Sequence, residues 1–158
     1  MSKTRDEMAQ EVRKASEVVV AKHGDLQKTM DKAFSKIGEL AKKVIVEVLI
    51  DEFSKLQAAT PYDTGRAQAG WLISSEGEAI GFTPKRDEKT QSYKPQKAEQ
   101  ALGSLMKTDV IYVINNVEYI LYLEAGWSSQ APQGFIAPFL ANCKRRIAQE
   151  CAAMSRMS

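Results

Sequence analysis

Histidine and cysteine are scarce in this chain, with one His and two Cys among 158 residues. Zinc takes most of its ligands from these two types, and neither a CxxC nor an HxxxH pair occurs. His23 stands alone, so histidine-centred acid–base or nucleophilic catalysis lacks its usual partners. The phosphate-cradling patterns GxxxxGK[ST] and GxGxxG are absent as well. No stretch approaches the ~18–20 apolar residues of a membrane span; the longest candidate, Val44–Ile50, is interrupted by Glu47. Residues Met1 to Glu7 hold no apolar stretch, and no secretory signal is expected. Nor is there an excess of one charge. Lys and Arg number 22 against 20 Asp and Glu, a net +2, where a generic polyanion binder is strongly basic.

What is present is ordinary globular material, 44% apolar and 27% charged. A chain of this length makes one domain and buries roughly 68–70% of its unfolded surface. The near-neutral sum hides an uneven distribution. In the polar stretch 84–97, Lys85, Arg86, Lys89, Lys94 and Lys97 outweigh Asp87 and Glu88 to leave +3. Residues 98–127 set Glu99, Asp109, Glu118 and Glu124 against Lys107, net −3. In the tail 143–158, Lys144, Arg145, Arg146 and Arg156 against Glu150 return +3. Each patch reads either as ordinary solvated surface or as one of a complementary pair on neighbouring subunits, since opposed patches steer association and fix register.

The first half reads as helix. Thr4 and Glu7 fit a capping box, and Met8, Val12, Ala15 and Val19 follow at helical spacing. Lys22-His23-Gly24-Asp25 is expected to interrupt the helix, with Gly24 in a left-handed cap and Asp25 capping the next segment. From Leu26 to Gln57, Met30, Phe34, Ile37, Ala41, Val44 and Val48 make one apolar stripe that no proline breaks. As a single helix this stretch is about 48 Å long, longer than the ~40 Å body implied by a radius of gyration near ~15 Å. Such a helix needs a partner, or must bend or break, with Gly38 its weak point.

Thr60-Pro61-Tyr62-Asp63-Thr64-Gly65-Arg66 is turn chemistry: Pro61 ends the helix, Asp63 can bond the backbone two residues on, and Gly65 permits a positive φ. Gly70–Ser74 and Ala79–Phe82 read as two short strands joined by a hairpin turn at residues 75–78. Residues 84–97 read as an exposed loop of the length at which a structureless loop becomes functional or disordered; it is either a mobile solvated loop or a nucleic-acid contact with Tyr93 available for stacking. Ala98–Met106 reads as a short helix and Asp109–Asn115 as the best strand of the chain. Tyr119–Glu124 fits a helical turn and a strand equally well. A loop at Gly126–Gly134 precedes a last helix with Pro138 in its first turn and Leu140, Cys143, Ile147, Cys151 and Met154 on its apolar face. Cys143 and Cys151 lie ~12 Å apart along that helix, beyond the ~7 Å reach of a disulfide, and are expected as reduced apolar residues. The carboxylates of Asp63, Glu118 and Glu124 have no spacing that calls for an acid pair or a magnesium site, so a hydrolase is disfavoured. Tyr119, Tyr122 and Trp127 suit core or interface.

Three of these blocks, in order, carry a resemblance. Thr60-Pro61-Tyr62-Asp63-Thr64-Gly65-Arg66 followed by Trp71 is similar to the TP-x-DTGR-x(4)-[SW] pattern of the HK97-gp10-like phage tail completion (neck) proteins. Asn115-Asn116-Val117-Glu118-Tyr119-Ile120-Leu121-Tyr122-Leu123-Glu124-Ala125-Gly126-Trp127 resembles the family's N-N-x-x-Y-x-x-Y-[LVI]-[EN]-x-G block, and the segment Gln130-Ala131-Pro132-Gln133-Gly134-Phe135 its AP-x-G-[FM] stretch. The chain departs at Glu118, where the family often has proline or a neutral residue. The resemblance covers roughly residues 26–155 and leaves segment 1–24 and loop 84–97 unmatched.

The resemblance implies an α+β fold: a long N-terminal helix packed on a small antiparallel sheet, with a C-terminal helix. The expected layout is a helical extension at 1–24 and a single domain at 25–158. The resemblance also implies a homo-oligomeric ring, sixfold, in the virion neck between head-closure proteins and tail, made in the host cytoplasm, with no catalysis, cofactor or membrane. On this reading Asp63 and Gly65 shape the turn, and Arg66 pairs with Asp63 or with a carboxylate such as Glu124. Asn115 and Asn116 turn the strand with a positive φ, while Tyr119, Tyr122 and Trp127 anchor packing or a subunit contact. Loop 84–97 docks a neighbouring neck protein or lines the DNA passage. The rivals are another connector (a tail terminator or head-closure protein) and a small nucleic-acid-binding protein using loop 84–97 and the Arg145-Arg146 region.

Overall fold

The computed structural model describes residues 3–157, apart from the side chain of Glu78. Met1, Ser2 and Ser158, the outer ends of the two expected segments, lie outside the described residues. The first helix, α1 (Arg5–Ile37), opens on the expected capping box: the Thr4 hydroxyl accepts from the Glu7 N–H at 3.1 Å and the Glu7 carboxylate from the Thr4 N–H at 2.8 Å. The expected interruption at residues 22–25 does not occur, and α1 runs through Gly24 unbroken. One glycine costs a helix only ~1 kcal/mol, while the flanking residues hold their pattern and Leu26, just beyond, is buried.

The break falls at Gly38 instead. With φ +58° and ψ −131° it takes a conformation that disfavours a side chain, and α2 (Leu40–Ala59) starts just beyond. The stripe expected to overhang as one helix is therefore shared between two. Its first part makes α1 amphipathic. Its second part buries most of α2, with Ala41, Val46, Phe53 and Leu56 at 2% exposure or less and Lys43, Glu47 and Asp51 on the exposed side, a wider apolar face than that of α1. The over-long element is α1, whose 33 residues run about 50 Å.

After α2 come one helical turn, α3 (Arg66–Ala69), and the strand β1 (Trp71–Ser74). The expected local hairpin is not formed: Gly77–Gly81 is a 3₁₀ helix, and β1 pairs antiparallel with the distant strand β2 (Tyr112–Asn115), Trp71 opposite Asn115 and Ser74 opposite Tyr112. Between them lie a 3₁₀ turn at Ala98–Ala101 and α4 (Leu102–Leu105), matching the short helix expected there. Tyr119–Glu124 resolves as helix, α5 (Ile120–Glu124), before the long C-terminal α6 (Ile136–Met157). The fold is thus α+β, as expected.

α1 and α2 both pack along α6, where Leu140, Cys143, Ile147 and Cys151 are buried as their spacing requires. Both cysteines are free thiols, and burial, together with the nearby Glu52 charge, pushes the Cys143 thiol up to about 12. Glu52 is buried in α2 and meets Arg146 of α6 at 2.9 Å and Lys55 at 3.3 Å. Arg146 also binds Asp51 and holds that carboxyl below its ordinary value. A buried carboxylate is tolerable only with such partners. On the sheet, the buried Trp71 meets Phe135 edge-on, ring centres 6.5 Å apart.

Candidate functional site

The first of the blocks that carry the resemblance lies some forty residues before the other two, yet it closes onto both. At the end of α2 the Thr60 hydroxyl donates to the Leu56 carbonyl at 2.7 Å and accepts from the Trp71 indole N–H at 2.8 Å. Thr60 and Trp71 are both buried, so this relay ties the turn to β1. Gly65 has the expected positive φ, +89°. The Asp63 carboxylate is exposed and makes no hydrogen bond or ion pair among the described residues; it is the Thr64 hydroxyl that accepts from the Arg66 N–H, at 3.3 Å. The Gln130 amide clips the turn from the third block, accepting from the Tyr62 N–H and donating to the Tyr62 carbonyl, both at 2.8 Å.

Arg66 pairs with neither Asp63 nor Glu124. Its guanidinium grips Glu118 through two hydrogen bonds, 2.7 and 3.0 Å, and lies 5.8 Å from the Tyr119 ring centre. Glu118, where the chain departs from the pattern it resembles, is therefore the partner of Arg66. Arg66 draws the Glu118 carboxyl down to about 2, and Glu118 raises the guanidinium in return.

Glu124 has a different task. Its carboxylate accepts from the N–H groups of Phe135 at 2.6 Å, Ile136 at 2.8 Å and Ala137 at 3.2 Å, at the start of α6. A negative group there satisfies free helix-terminal donors and meets the positive end of the helix dipole. Gly134, at φ +81°, turns the chain tightly enough for this approach. Gly126, at φ +95°, brings the chain against the Pro132 carbonyl.

Asn115 and Asn116 do not turn the strand through a positive φ; among the described residues Gln91 is the only non-glycine there. They work through their side chains. Asn115 accepts from the Val117 N–H and donates to the Ala67 carbonyl, 3.0 and 2.9 Å. Asn116 donates to the carbonyls of Ile80 and Phe82. Thr60 and Gln130, which tie the join together, lie within the resembling blocks but were not singled out as site residues.

The outer side of this join is aromatic. Tyr62, Tyr119, Tyr122 and Trp127 are 37–57% exposed. The Tyr122 and Trp127 rings lie 4.5 Å apart, and Tyr62, Arg66, Tyr119, Leu123 and Gln130 rim a cleft of about 190 Å³.

The stretch 84–97 is more ordered than a bare loop. Arg86 and Tyr93 form an antiparallel bridge, the Asp87 N–H donates to the Ser92 carbonyl at 2.7 Å, and the Asp87 carboxylate accepts from Lys89 and Thr90 N–H, both at 2.9 Å. Those N–H groups, Thr90's foremost, hold the Asp87 carboxyl below its ordinary value. Tyr93 is not a bare stacking platform, because Arg86 lies 5.5 Å from its ring centre. Lys85, Arg86, Lys89, Lys94 and Lys97 are all exposed on this ribbon.

Among the described residues no three His, Cys, Asp or Glu side chains gather as a metal site, and no helix is long and apolar enough to cross a membrane. No protein-family model, curated protein or solved structure matches the chain.

Proposed function

We propose that this chain is a structural virion protein of a tailed bacteriophage, a neck or tail completion subunit that assembles into a sixfold ring between head-closure proteins and the tail. It acts by presenting surfaces, without catalysis or cofactor. One observation carries the reading: the three blocks resembling the tail completion family are hydrogen-bonded into a single surface, Gln130 to Tyr62, Arg66 to Glu118, and Asn115 to Ala67. That surface holds Tyr62, Tyr119, Tyr122 and Trp127 exposed on a fixed frame, the composition favoured at subunit contacts. The basic ribbon at 84–97 supplies a second contact, to a neighbouring neck protein or to DNA in the passage.

Native mass spectrometry with electron microscopy of the concentrated chain tests this. Rings of one subunit type, lost in Tyr122→Ala/Trp127→Ala while the melting temperature holds, support it. A chain that stays monomeric at every concentration and binds DNA with a steep salt dependence overturns it in favour of a nucleic-acid-binding protein.

A further inference from the structure

We propose that the free edge of β2, with the apolar groove beside it, takes up an extended segment of a partner protein as an added strand. Ile73 gives its N–H and C=O to the Gln96 amide, 2.8 and 3.1 Å, on the side of β1 away from β2. In an antiparallel pair the residue opposite, Val113, then turns its own N–H and C=O outward from the sheet. Among the described residues the sheet has two strands, and no group meets those of Val113 or, two residues earlier, of Ile111. Val113 shares the face of the buried Ile73, and both Val113 and Ile111 pack partly against the core.

A groove of about 730 Å³ lies along this edge, lined by Val20, Met30 and Phe34 of α1, Ile45 of α2 and Phe139 of α6. Val20 is 71% and Phe34 42% exposed, a high value for apolar residues beside a core. The two features specify one kind of occupant. An extended backbone completes the outward donors and acceptors, and side chains at alternate positions then fall on the groove face. That requires an apolar residue at every second position.

The charges in the groove add a preference. Lys42 is engaged by the Thr108 carbonyl and Asp31 by the Gln27 amide. His23 also lines the groove, and the exposed Asp109 carboxylate has no hydrogen bond or ion pair among the described residues. A cationic residue at the end of the added strand fits beside Asp109. This surface is separate from the Tyr119–Trp127 face and stands whether or not the chain is a neck protein.

The full chain and the synthetic peptide Lys-Val-Thr-Val-Thr-Val-Lys provide the test, read by hydrogen exchange at single amides. The peptide should slow exchange at Ile111 and Val113 by about tenfold or more, and an analogue N-methylated at its valines should not. Val20→Asp, at an exposed position, should weaken binding by about tenfold without altering the fold. Val113→Pro removes a donor that the free chain does not use, and should abolish binding while the chain stays folded. The proposal is overturned by unchanged exchange at millimolar peptide, or by equal protection from the N-methylated analogue. It is also overturned if protection appears on concentrating the chain alone, which would assign the edge to a second copy.

Discussion

Glu124 and Gly134 occupy one space: a Cβ on Gly134 would lie 2.8 Å from Glu124 Cδ and 2.8 Å from its main-chain oxygen. The absent side chain is what lets the carboxylate reach the first N–H groups of α6. Glu124→Ala leaves those donors without their acceptor and should cost about 2–3 kcal/mol. Gly134→Ala meets both the clash and the positive φ and should cost about 2 kcal/mol or more. Urea denaturation of the two variants checks this, with loss of helicity at the start of α6 expected in each.

Thr60 is the second point of leverage. Thr60→Val keeps the shape but strands the buried Trp71 N–H, at a cost of about 1–3 kcal/mol. Thr60→Ser keeps the hydroxyl and should stay within about 1 kcal/mol of the parent. Thermal melts followed by tryptophan fluorescence separate the two; equal melts would mean the relay contributes nothing.

The Arg66–Glu118 pair sets a pH dependence. The folded Glu118 carboxyl titrates near 2, against an ordinary 4.5. A depressed carboxyl contributes stability above the ordinary value and loses it as pH falls from about 4.5 towards about 2. With Glu118 73% exposed, the contribution is small and falls with salt. Carboxyl carbon shifts in an NMR titration should give a midpoint near 2, and Arg66→Ala should move it back up towards 4.5. A midpoint that ignores the substitution would contradict the pairing.

Gly24 is a helix-interior glycine with nothing within 4 Å of where a Cβ would stand. Gly24→Ala should therefore stabilise the chain, by about 0.5–1 kcal/mol. Calorimetry gives the sign directly, and a lower melting temperature would mean that α1 is broken there in solution.

Gly24 also marks where local reading of the sequence stops working. A glycine beside an aspartate looks like a helix end, but the apolar spacing on either side stays in phase, and α1, packed against α6, runs through it unbroken. At Gly38 the same residue type does end a helix; periodicity flagged the weak point without deciding between bend and break. The capping box at Thr4, the buried face from Leu140 to Cys151, and the strand near Asp109–Asn115 were legible because each depends on neighbours in sequence. The pairing of Trp71 with Asn115 was not. A turn-like Ser75–Glu78 suggested a local hairpin, and nothing local distinguishes a near partner from one some forty residues away. The site divides the same way. Its residues were legible as a set of blocks, but Arg66 finding Glu118, and Glu124 capping α6, depend on how those blocks meet.

Gln96 has a consequence for solubility. Its side chain occupies the outer N–H and C=O of Ile73, which obstructs β1 as an end at which backbone can add and leaves β2 the more open one. A molecule with one such end can be completed but cannot propagate. Two copies meeting there, or one copy meeting a foreign strand, terminate each other, and a growing cross-β stack would need a second opening. A single glutamine amide thus works against open-ended stacking on this sheet.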